Sequence, residues 1–194
     1  MRQLIATAFM SLDGGVEAPG GEPGHRSSGW TFRDIEFLPD AYELKGREQE
    51  LSEAMMMGRV SYEAFAPVWP AMVDEFPRYN AMPKYVVSTT LAAGDLVDDW
   101  GETTILRSLD DVAALKGSDG GPITIHGSAT LTRNLTDAGL VDRFHLLVFP
   151  LLLGAGKRLF STTDKDKQML TLVESTAYAN GIQKLIYDVA GQPG

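Results

Sequence analysis

A chain of 194 residues with 44% hydrophobic and 22% charged side chains has the composition of a soluble globular domain with a substantial core. The net charge of -9 at pH 7 and the pI near 4.8 argue against nucleic-acid or anionic-membrane partners, because either needs a basic patch. The absence of cysteine excludes disulfides and cysteine nucleophiles, and the three histidines show no metal-ligand spacing. We therefore expect a cytoplasmic protein without a metal site, a signal peptide or a membrane span.

The first part of the sequence predicts a buried strand, a long loop and a helix. Residues 2–10 have the apolar pattern of a strand. Residues 14–30 contain six glycines and two prolines, so they are predicted to be irregular. A loop of that length directly after a core strand favours a lid that covers a binding site. The alternative is a disordered segment. Residues 37–53 are predicted to form a helix, and residues 54–57 a short strand.

The middle of the chain alternates predicted helices and strands, whereas the end contains predicted strands alone. Helices are expected at 58–66, 109–116 and 131–140, and strands at 84–90, 103–106 and 123–125. The final strands are expected at 144–149, 168–177 and 182–189. Because only a loop separates the first two of these, we predict hairpin-like antiparallel pairing between them.

This order of elements predicts one three-layer α/β domain over residues 1–190. Its central sheet should be mixed, mostly parallel in the middle and antiparallel at the C-terminal edge. Ligands of such sheets bind at the carboxyl ends of the parallel strands. Asp13, Gly58, Ser88 and Gly127 each follow a predicted strand, so we expect them on one rim.

Two turns at this expected rim have the character of phosphate-binding turns. Gly58 and Arg59 lie between a strand and a helix, and Gly127 and Ser128 do the same later in the chain. Glycine permits close backbone approach, a helix start offers free N–H groups, and Arg59 supplies a forked donor that matches phosphate oxygens. Each turn taken alone could be an ordinary α/β connector. Together they suggest a ligand with two phosphate groups.

At these residues the chain resembles the dihydrofolate-reductase-like superfamily, and more closely the stand-alone relatives of the riboflavin-biosynthesis reductase domain. The matching segments follow one another along nearly the whole chain, at residues 8–14, 57–63, 84–88, 127–131, 140–142 and 150–160. The resemblance implies a dihydrofolate-reductase-like fold, an NADPH-dependent reductase and a homodimer. Phe144, Leu146, Val148 and Phe149, on the expected antiparallel edge, are the residues predicted to pair two subunits.

The resemblance also implies how residues of the first turn hold the adenosine end of NADPH. Arg59 and the hydroxyl groups of Ser88 and Thr89 would bind the 2'-phosphate, which distinguishes NADP from NAD. Gly58 and Ser61 would position the start of the first helix.

The second turn and the first strand would hold the rest of the cofactor. The residues implied to offer N–H groups to the pyrophosphate are Gly127, Ser128 and Ala129. Ala8 and the turn at 11–14, which includes Leu12, would flank the nicotinamide, and Leu131 would lie beside its ring. In dihydrofolate reductases two glycines joined by a cis peptide occupy this turn, whereas here the first of them is His126.

The substrate is less sharply implied. The preferred acceptor is the ribosylamino-pyrimidine phosphate of riboflavin biosynthesis, and without cysteine the chain cannot carry the zinc deaminase of the bifunctional enzyme. The alternatives are a folate or pterin reductase and a non-catalytic NADPH-binding module. Folate-reducing enzymes use a carboxylate on the helix after the lid, where four candidates compete and none stands out: Asp34, Glu36, Asp40 and Glu43.

Two further polar segments are candidates for substrate contact. Asp13 is the candidate catalytic residue through contact with a polar substrate group, with a structural Asp-Gly turn as the alternative. Lys157 and Arg158 follow a glycine-rich turn that lacks the glycine and hydroxyl positions of a P-loop. They are predicted to be solvated, with contact to a substrate phosphate as the alternative.

Overall fold

The computed structural model describes residues 1–191, and within them the chain forms eight strands, five α-helices and two short 3-10 helices at Trp69–Met72 and Ala93–Asp95. The strands are β1 (Leu4–Ser11), β2 (Ala54–Gly58), β3 (Lys84–Val87), β4 (Thr103–Leu106), β5 (Ile123–His126), β6 (Arg143–Phe149), β7 (Leu170–Ala177) and β8 (Gln183–Val189). The α-helices are α1 (Pro39–Leu51), α2 (Arg59–Phe65), α3 (Pro77–Ala81), α4 (Leu109–Gly117) and α5 (Ala129–Asp137). The short helix α3 has no counterpart in the sequence prediction, and the strands and the other α-helices lie within a few residues of their predicted bounds.

One sheet joins all eight strands in the order β4-β3-β2-β5-β1-β6-β8-β7. The six neighbouring strands β4, β3, β2, β5, β1 and β6 run parallel to one another. The last two strands, β8 and β7, are antiparallel to their neighbours. The predicted mixed sheet of a single α/β domain is therefore confirmed. Parallel neighbours need long crossover connections, which the helices supply, whereas a tight turn suffices between β7 and β8.

The order of the last three strands differs from the predicted hairpin. β8 lies between β6 and β7, so the prediction that the first two of these strands pair with each other is wrong. Burial gives the physical reason. Ile186 and Val189 of β8 are buried, whereas Leu172 and Val173 of β7 are about half exposed. The strand with more apolar contact takes the inner position, and the exposed strand forms the edge.

The residues expected to pair two subunits are consequently not at an edge. They are all buried within one chain, on a strand that lies between β1 and β8: Phe144, Leu146, Val148 and Phe149. That part of the prediction is wrong, because the β7–β8 hairpin covers the side of β6 that was expected to be open.

Helices cover both faces of the sheet, which gives three layers. On one face, α4 and α5 bring Val112 and Leu135 against the central strands. On the other face, α1 packs Leu44 against β6, while Tyr62 of α2 and Tyr79 of α3 pack beside β2. Between these last two apolar clusters the α1 face carries a strip of polar side chains, which is described with the site below.

The long loop between β1 and α1 packs on the α1 face. Trp30 is buried, its indole N–H donates to the carbonyl of Glu17 at 2.8 Å, and its ring meets Phe149 edge to face with centroids 5.2 Å apart. The hydroxyl of Thr31 donates to the carbonyl of Pro19 at 2.7 Å. These contacts fix the loop to the core, so the disordered alternative is wrong and the lid interpretation stays a prediction.

Candidate active site

Parallel pairing brings the carboxyl ends of β1, β2, β3 and β5 to one edge of the sheet, here called the rim. Gly58 lies opposite Val87 in the pairing of β2 with β3, and Ser88 follows at the next position. Gly127 directly follows β5, and Asp13 comes two residues after β1 ends. The four strand-end residues therefore share the rim.

Hydrogen bonds join the two glycine turns to each other. The hydroxyl of Ser128 accepts from the N–H of Gly58 and donates to the hydroxyl of Ser61, each at 2.7 Å. Gly127 has a φ of +66°, and a Cβ there would lie 3.2 Å from the Ser61 hydroxyl and 3.4 Å from the ring of Phe65. Glycine is therefore required at this position by both conformation and space. The turns that look separate in the sequence form one unit.

This use of Ser128 leaves the start of α5 open. Ser128 is the N-cap residue of α5, with φ and ψ both 60°, and its side chain makes no hydrogen bond to the helix. Serine at this position normally satisfies one of the free N–H groups of the first turn. Because the hydroxyl is directed to the other turn instead, the first N–H groups of α5, including that of Ala129, remain available to an anion.

Arg59 and Ser88 lie at neighbouring strand ends. The Arg59 side chain is 46% exposed and forms an ion pair with Glu63 on the same helix, with 2.9 Å between nitrogen and oxygen. Exposed pairs of this kind contribute little, so the guanidinium can exchange Glu63 for a phosphate. The hydroxyl of Ser88 is buried and accepts from the N–H of Leu91 at 2.9 Å, whereas Thr89 is exposed.

Arg107 is a cation at the rim that the sequence analysis did not identify. It directly follows β4, and its guanidinium donates to the carbonyls of Ser88 and Leu91 at 2.9 and 2.7 Å. It thus braces the loop that carries Ser88 and Thr89. The signal was available in part, because Arg107, like Arg59, lies between a predicted strand and a predicted helix, although no glycine precedes it.

The residues implied to surround the nicotinamide lie in different environments. Leu131 is buried in the core cluster beside Gly58, and Ala8 packs against the same cluster. Leu12 is 69% exposed on the turn after β1. The structure therefore groups Ala8 and Leu131 but leaves Leu12 on the surface, and the roles of all three remain predictions.

Asp13 is held by internal contacts. Its carboxylate accepts from the Ser11 hydroxyl at 2.6 Å and from the N–H groups of Leu153 and Gly154, each at 3.0 Å. The Ser11 hydroxyl above all, then the backbone donors and Arg158, lower the pKa of Asp13 to about 2. Asp13 is therefore ionised at neutral pH and cannot supply a proton. The geometry favours the structural turn, and a contact between this carboxylate and substrate stays a prediction.

Lys157 and Arg158 are tied to the loop after β1. Lys157 pairs with Glu17 at 3.2 Å, and Arg158 pairs with the carboxylate of Asp13 at 3.5 Å and donates to the Asp13 carbonyl. Both side chains are still about half exposed. Both cationic side chains therefore have carboxylate partners within the chain, so no bound ligand is needed to explain their positions.

A buried polar cluster between α1 and the sheet was also missed. The Glu48 carboxylate accepts from Thr7 of β1 at 2.7 Å, lies 2.9 Å from Nδ1 of His145 on β6, and pairs with Lys45 at 3.2 Å. Lys45 also donates to the Thr7 hydroxyl. Burial by itself would raise the pKa of Glu48, but the Lys45 ammonium and the hydrogen bonds from His145 and Thr7 outweigh it and lower the pKa to about 2.

Helical spacing is the signal that could have found Glu48. Ala41, Leu44 and Glu48 recur at intervals of three and four and are the buried residues of α1. The four carboxylates considered for the helix after the lid are instead all exposed, namely Asp34, Glu36, Asp40 and Glu43. The inward-facing carboxylate of this helix is therefore Glu48.

Beside this cluster lies a small cavity of about 40 Å³. Its lining is formed by Lys45, Glu48, Gln49, Ser52, Met55, Tyr79, Met82, Thr124 and His126. Burial first, and then the Lys45 charge, lower the pKa of His126 to about 4 against the opposing effect of Glu48, so this imidazole is neutral at pH 7. The peptide bonds of the described residues are all trans, including the one between His126 and Gly127.

A single α/β domain with a mostly parallel eight-stranded sheet and antiparallel edge strands is a dihydrofolate-reductase-like fold. More particularly, the chain belongs to the RibD C-terminal domain family, which it matches over residues 2–184. It is 27% identical over 192 residues to the uncharacterized protein YyaP of Bacillus subtilis (strain 168), and this match spans 96% of the chain and 94% of YyaP.

Two solved structures share the fold. A protein from Shewanella sp. PV-4 that is named for riboflavin biosynthesis superposes with a TM-score of 0.74 at 19% identity, over 96% of this chain and 98% of its own. Dihydrofolate reductase from Enterococcus faecalis, complexed with NADP(H) and RAB-propyl, superposes with a TM-score of 0.59 at 14% identity, over 97% and 96%. Within residues 1–191, no helix is both long enough and apolar enough to cross a bilayer.

Proposed function

We propose that the protein is an NADPH-dependent reductase that transfers a hydride to a small heterocyclic substrate, with the ribosylamino-pyrimidine phosphate of riboflavin biosynthesis as the preferred acceptor. The observation that carries this proposal is the joined pair of turns at the rim. Ser128 links the Gly58 turn to the Gly127 turn and leaves the first N–H groups of α5 free. Family membership adds support, because the family is named for a domain of a riboflavin-biosynthesis enzyme.

The chemistry of the described rim residues fits NADPH, because an exposed arginine and the uncapped start of α5 both suit phosphate groups. Arg59, Ser88 and Thr89 would hold the 2'-phosphate, with Arg107 bracing their loop. The other residues proposed to hold the cofactor are Ala8, Leu12, Gly58, Ser61, Gly127, Ser128, Ala129 and Leu131. When bound, this cofactor supplies the hydride, and the chain then needs to bind, orient and exclude water. The buried Trp30 and its loop are suited to excluding water from the space beside β1.

One observation bears on the alternative of a pterin reductase. A carboxylate deep in the site would favour a pterin, and Glu48 is such a group. However, its Oε1 already contacts Thr7 and His145, and its Oε2 contacts Lys45. Glu48 therefore has little capacity left for a pterin, which favours the pyrimidine. The third possibility is a module that binds NADPH without turnover. Such a module would bind the cofactor at the same rim residues but would have no substrate.

Titration with NADPH and NADH side by side tests the proposal. We expect quenching of the three tryptophans with micromolar affinity for NADPH and much weaker binding of NADH, since only NADPH carries a 2'-phosphate. Substrate-dependent loss of NADPH absorbance would then separate an enzyme from a binding module. Absence of binding to either dinucleotide would show that the rim has another role.

We also propose a homodimer that forms through the edge strand β7, in place of the buried β6. An edge strand presents unpaired backbone groups, and β7 adds the half-exposed side chains of Leu172 and Val173. We expect light scattering at micromolar concentration to give twice the chain mass, and Leu172→Lys to give a monomer. Leu152→Lys, at an exposed leucine outside the sheet, should leave the dimer intact. A wild-type mass of one chain would refute the dimer.

A further inference from the structure

The imidazole of His126 has polar atoms that no residue of the fold uses. His126 is the last residue of β5, and neither ring nitrogen makes a hydrogen bond within the described part of the chain. The fold closes off the partnerless side-chain atoms of five other residues, namely His25, Tyr79, Asn80, Trp100 and Thr103. The nitrogens of His126 are not among these closed atoms, so they keep accessible surface. They are therefore available to a ligand that enters the site.

Strand pairing and ring contacts fix where the imidazole lies. Thr7 of β1 lies opposite His126 of β5, and residues paired in a sheet direct their side chains to the same face. The Thr7 hydroxyl contacts Glu48 of α1, so both side chains lie on the α1 face. The rings of Phe65 and Tyr79 meet the imidazole edge to face, with centroids 5.4 and 5.5 Å away. The imidazole is therefore held by packing, without a polar partner.

This position is next to the proposed cofactor site. His126 directly precedes Gly127, whose turn is proposed to hold the pyrophosphate, and Thr7 directly precedes Ala8, which is proposed to flank the nicotinamide. A hydride acceptor must lie within about 3–3.5 Å of the atom that delivers the hydride. A substrate that accepts the hydride at the rim ends of β1 and β5 would therefore lie beside His126.

The electrostatics around the imidazole favour an uncharged ligand group. Burial first, and then the Lys45 charge, lower the pKa of His126 to about 4 against the opposing effect of Glu48. The ring is therefore neutral at pH 7 and offers one N–H donor and one acceptor nitrogen. Lys45 lies 3.2 Å from Glu48, so its charge already has a partner. A phosphate here would meet no free cation, and burying an unpaired anion is strongly unfavourable.

The space between α1 and the sheet limits the ligand further. His126 lines the cavity of about 40 Å³, together with the apolar side chains of Met55 and Met82. A buried water needs roughly 10–15 Å³ of such volume, so a substituent of a heterocycle fits there and a whole nucleotide does not. The ribosyl and phosphate groups of a substrate must therefore lie outside this cavity.

We propose that His126 binds the heterocycle of the substrate, with its ring N–H donating to an oxo group of that heterocycle. This inference rests on the proposed function and specifies which side chain recognises the heterocycle. A substrate phosphate would accordingly lie away from His126. His126 is therefore assigned as a residue that determines substrate specificity.

Imidazole nitrogen-15 NMR on the full chain tests the assignment, because the protein has only three histidines. The probe is 5,6-diaminouracil, with pterin in a parallel titration to distinguish a pyrimidine from a pterin. We expect the ring nitrogen signals of His126 to shift on addition of the probe, while those of the buried His145 stay in place. A merely structural role for His126 would leave its signals unmoved.

Variants of His126 provide a second measurement. We expect His126→Phe, which keeps an aromatic ring without nitrogen, to weaken probe binding about fivefold, as loss of one neutral hydrogen bond does. His126→Gln, which restores an N–H donor, should recover part of this loss. Neither variant should change NADPH affinity measured by tryptophan quenching, because the proposed cofactor contacts of the adjacent turn are backbone groups. Tyr85→Phe, on the opposite face of the sheet, is the matched control and should bind the probe like the wild type.

Four results would each overturn the assignment: unmoved His126 signals at saturating probe, equal probe affinity in His126→Phe and wild type, failure of the wild type to bind either probe, and displacement of the probe by inorganic phosphate. NADPH binding together with unmoved signals would refute the role of His126 and keep the cofactor site. Shifted His126 signals in a protein that does not bind NADPH would refute the reductase and keep the heterocycle contact.

Discussion

Replacing Arg59 with alanine is expected to weaken NADPH binding about 10- to 100-fold and to leave NADH binding nearly unchanged. A hydrogen bond between charged groups contributes about 1.5–3 kcal/mol, and each 1.4 kcal/mol is roughly tenfold in affinity. Arg59 is the first residue of α2, next to the strand end that carries Ser88. Only the 2'-phosphate differs between the two cofactors, so the loss should be selective. Tryptophan quenching by each dinucleotide measures it.

Glu63→Ala is the matched control, because it breaks the same ion pair from the other partner. Exposed pairs add at most about 1 kcal/mol, so neither variant should lose much stability. With the competing carboxylate removed, Glu63→Ala should bind NADPH as well as wild type or slightly better. Equal losses for NADPH and NADH in Arg59→Ala would show that the guanidinium does not contact the 2'-phosphate.

The second large effect is expected at Glu48, where glutamine should destabilise the fold by about 3 kcal/mol. The side chain is only 6% exposed and contacts three partners on α1, β1 and β6, namely Lys45, Thr7 and His145. Removing the charge leaves the partly buried Lys45 without its counterion, and an amide cannot accept from all three donors. Urea denaturation of wild type and variant measures the difference in the free energy of unfolding.

Glu43→Gln, at an exposed position of the same helix, should change stability by less than about 0.5 kcal/mol. The pH dependence provides a second test. The pKa of Glu48 lies at about 2 in the folded chain against an ordinary 4.5, so its contribution is complete above pH 4.5 and is lost as pH falls toward 2. Glu48→Gln should therefore show a flatter decline in stability over this range. A variant as stable as wild type at pH 7 would contradict the importance of the cluster.

These two experiments examine separate parts of one site. Arg59 lies at the rim where the cofactor is proposed to bind, whereas Glu48 lines the small cavity between α1 and the sheet. If Glu48→Gln folds and binds NADPH normally, the loss of its charge affects stability without reaching the proposed cofactor site. A loss of NADPH binding in that variant would instead indicate that the cluster helps to set the positions of β1 and β6.

The sequence by itself determined the succession of elements and the residues that follow each strand. Alternating helix and strand patterns fixed the parallel centre of the sheet, and Gly58, Arg59, Ser88 and Gly127 could be placed on one rim because parallel strands end at the same edge. The sequence also showed that Asp13 lies in an Asp-Gly turn, although it could not show that donors from the distant residues Leu153 and Gly154 occupy its carboxylate.

Only the tertiary structure decided which distant residues meet. The position of β8 between β6 and β7 depends on how much apolar surface each strand buries against the rest of the protein. Local periodicity in the sequence does not record this quantity. The contact of Glu48 with His145 joins residues 97 positions apart, and the bond from Ser128 to Ser61 joins residues 67 apart. Such contacts depend on packing of whole elements, so a sequence pattern can mark a residue as buried or strand-terminal but cannot name its partner.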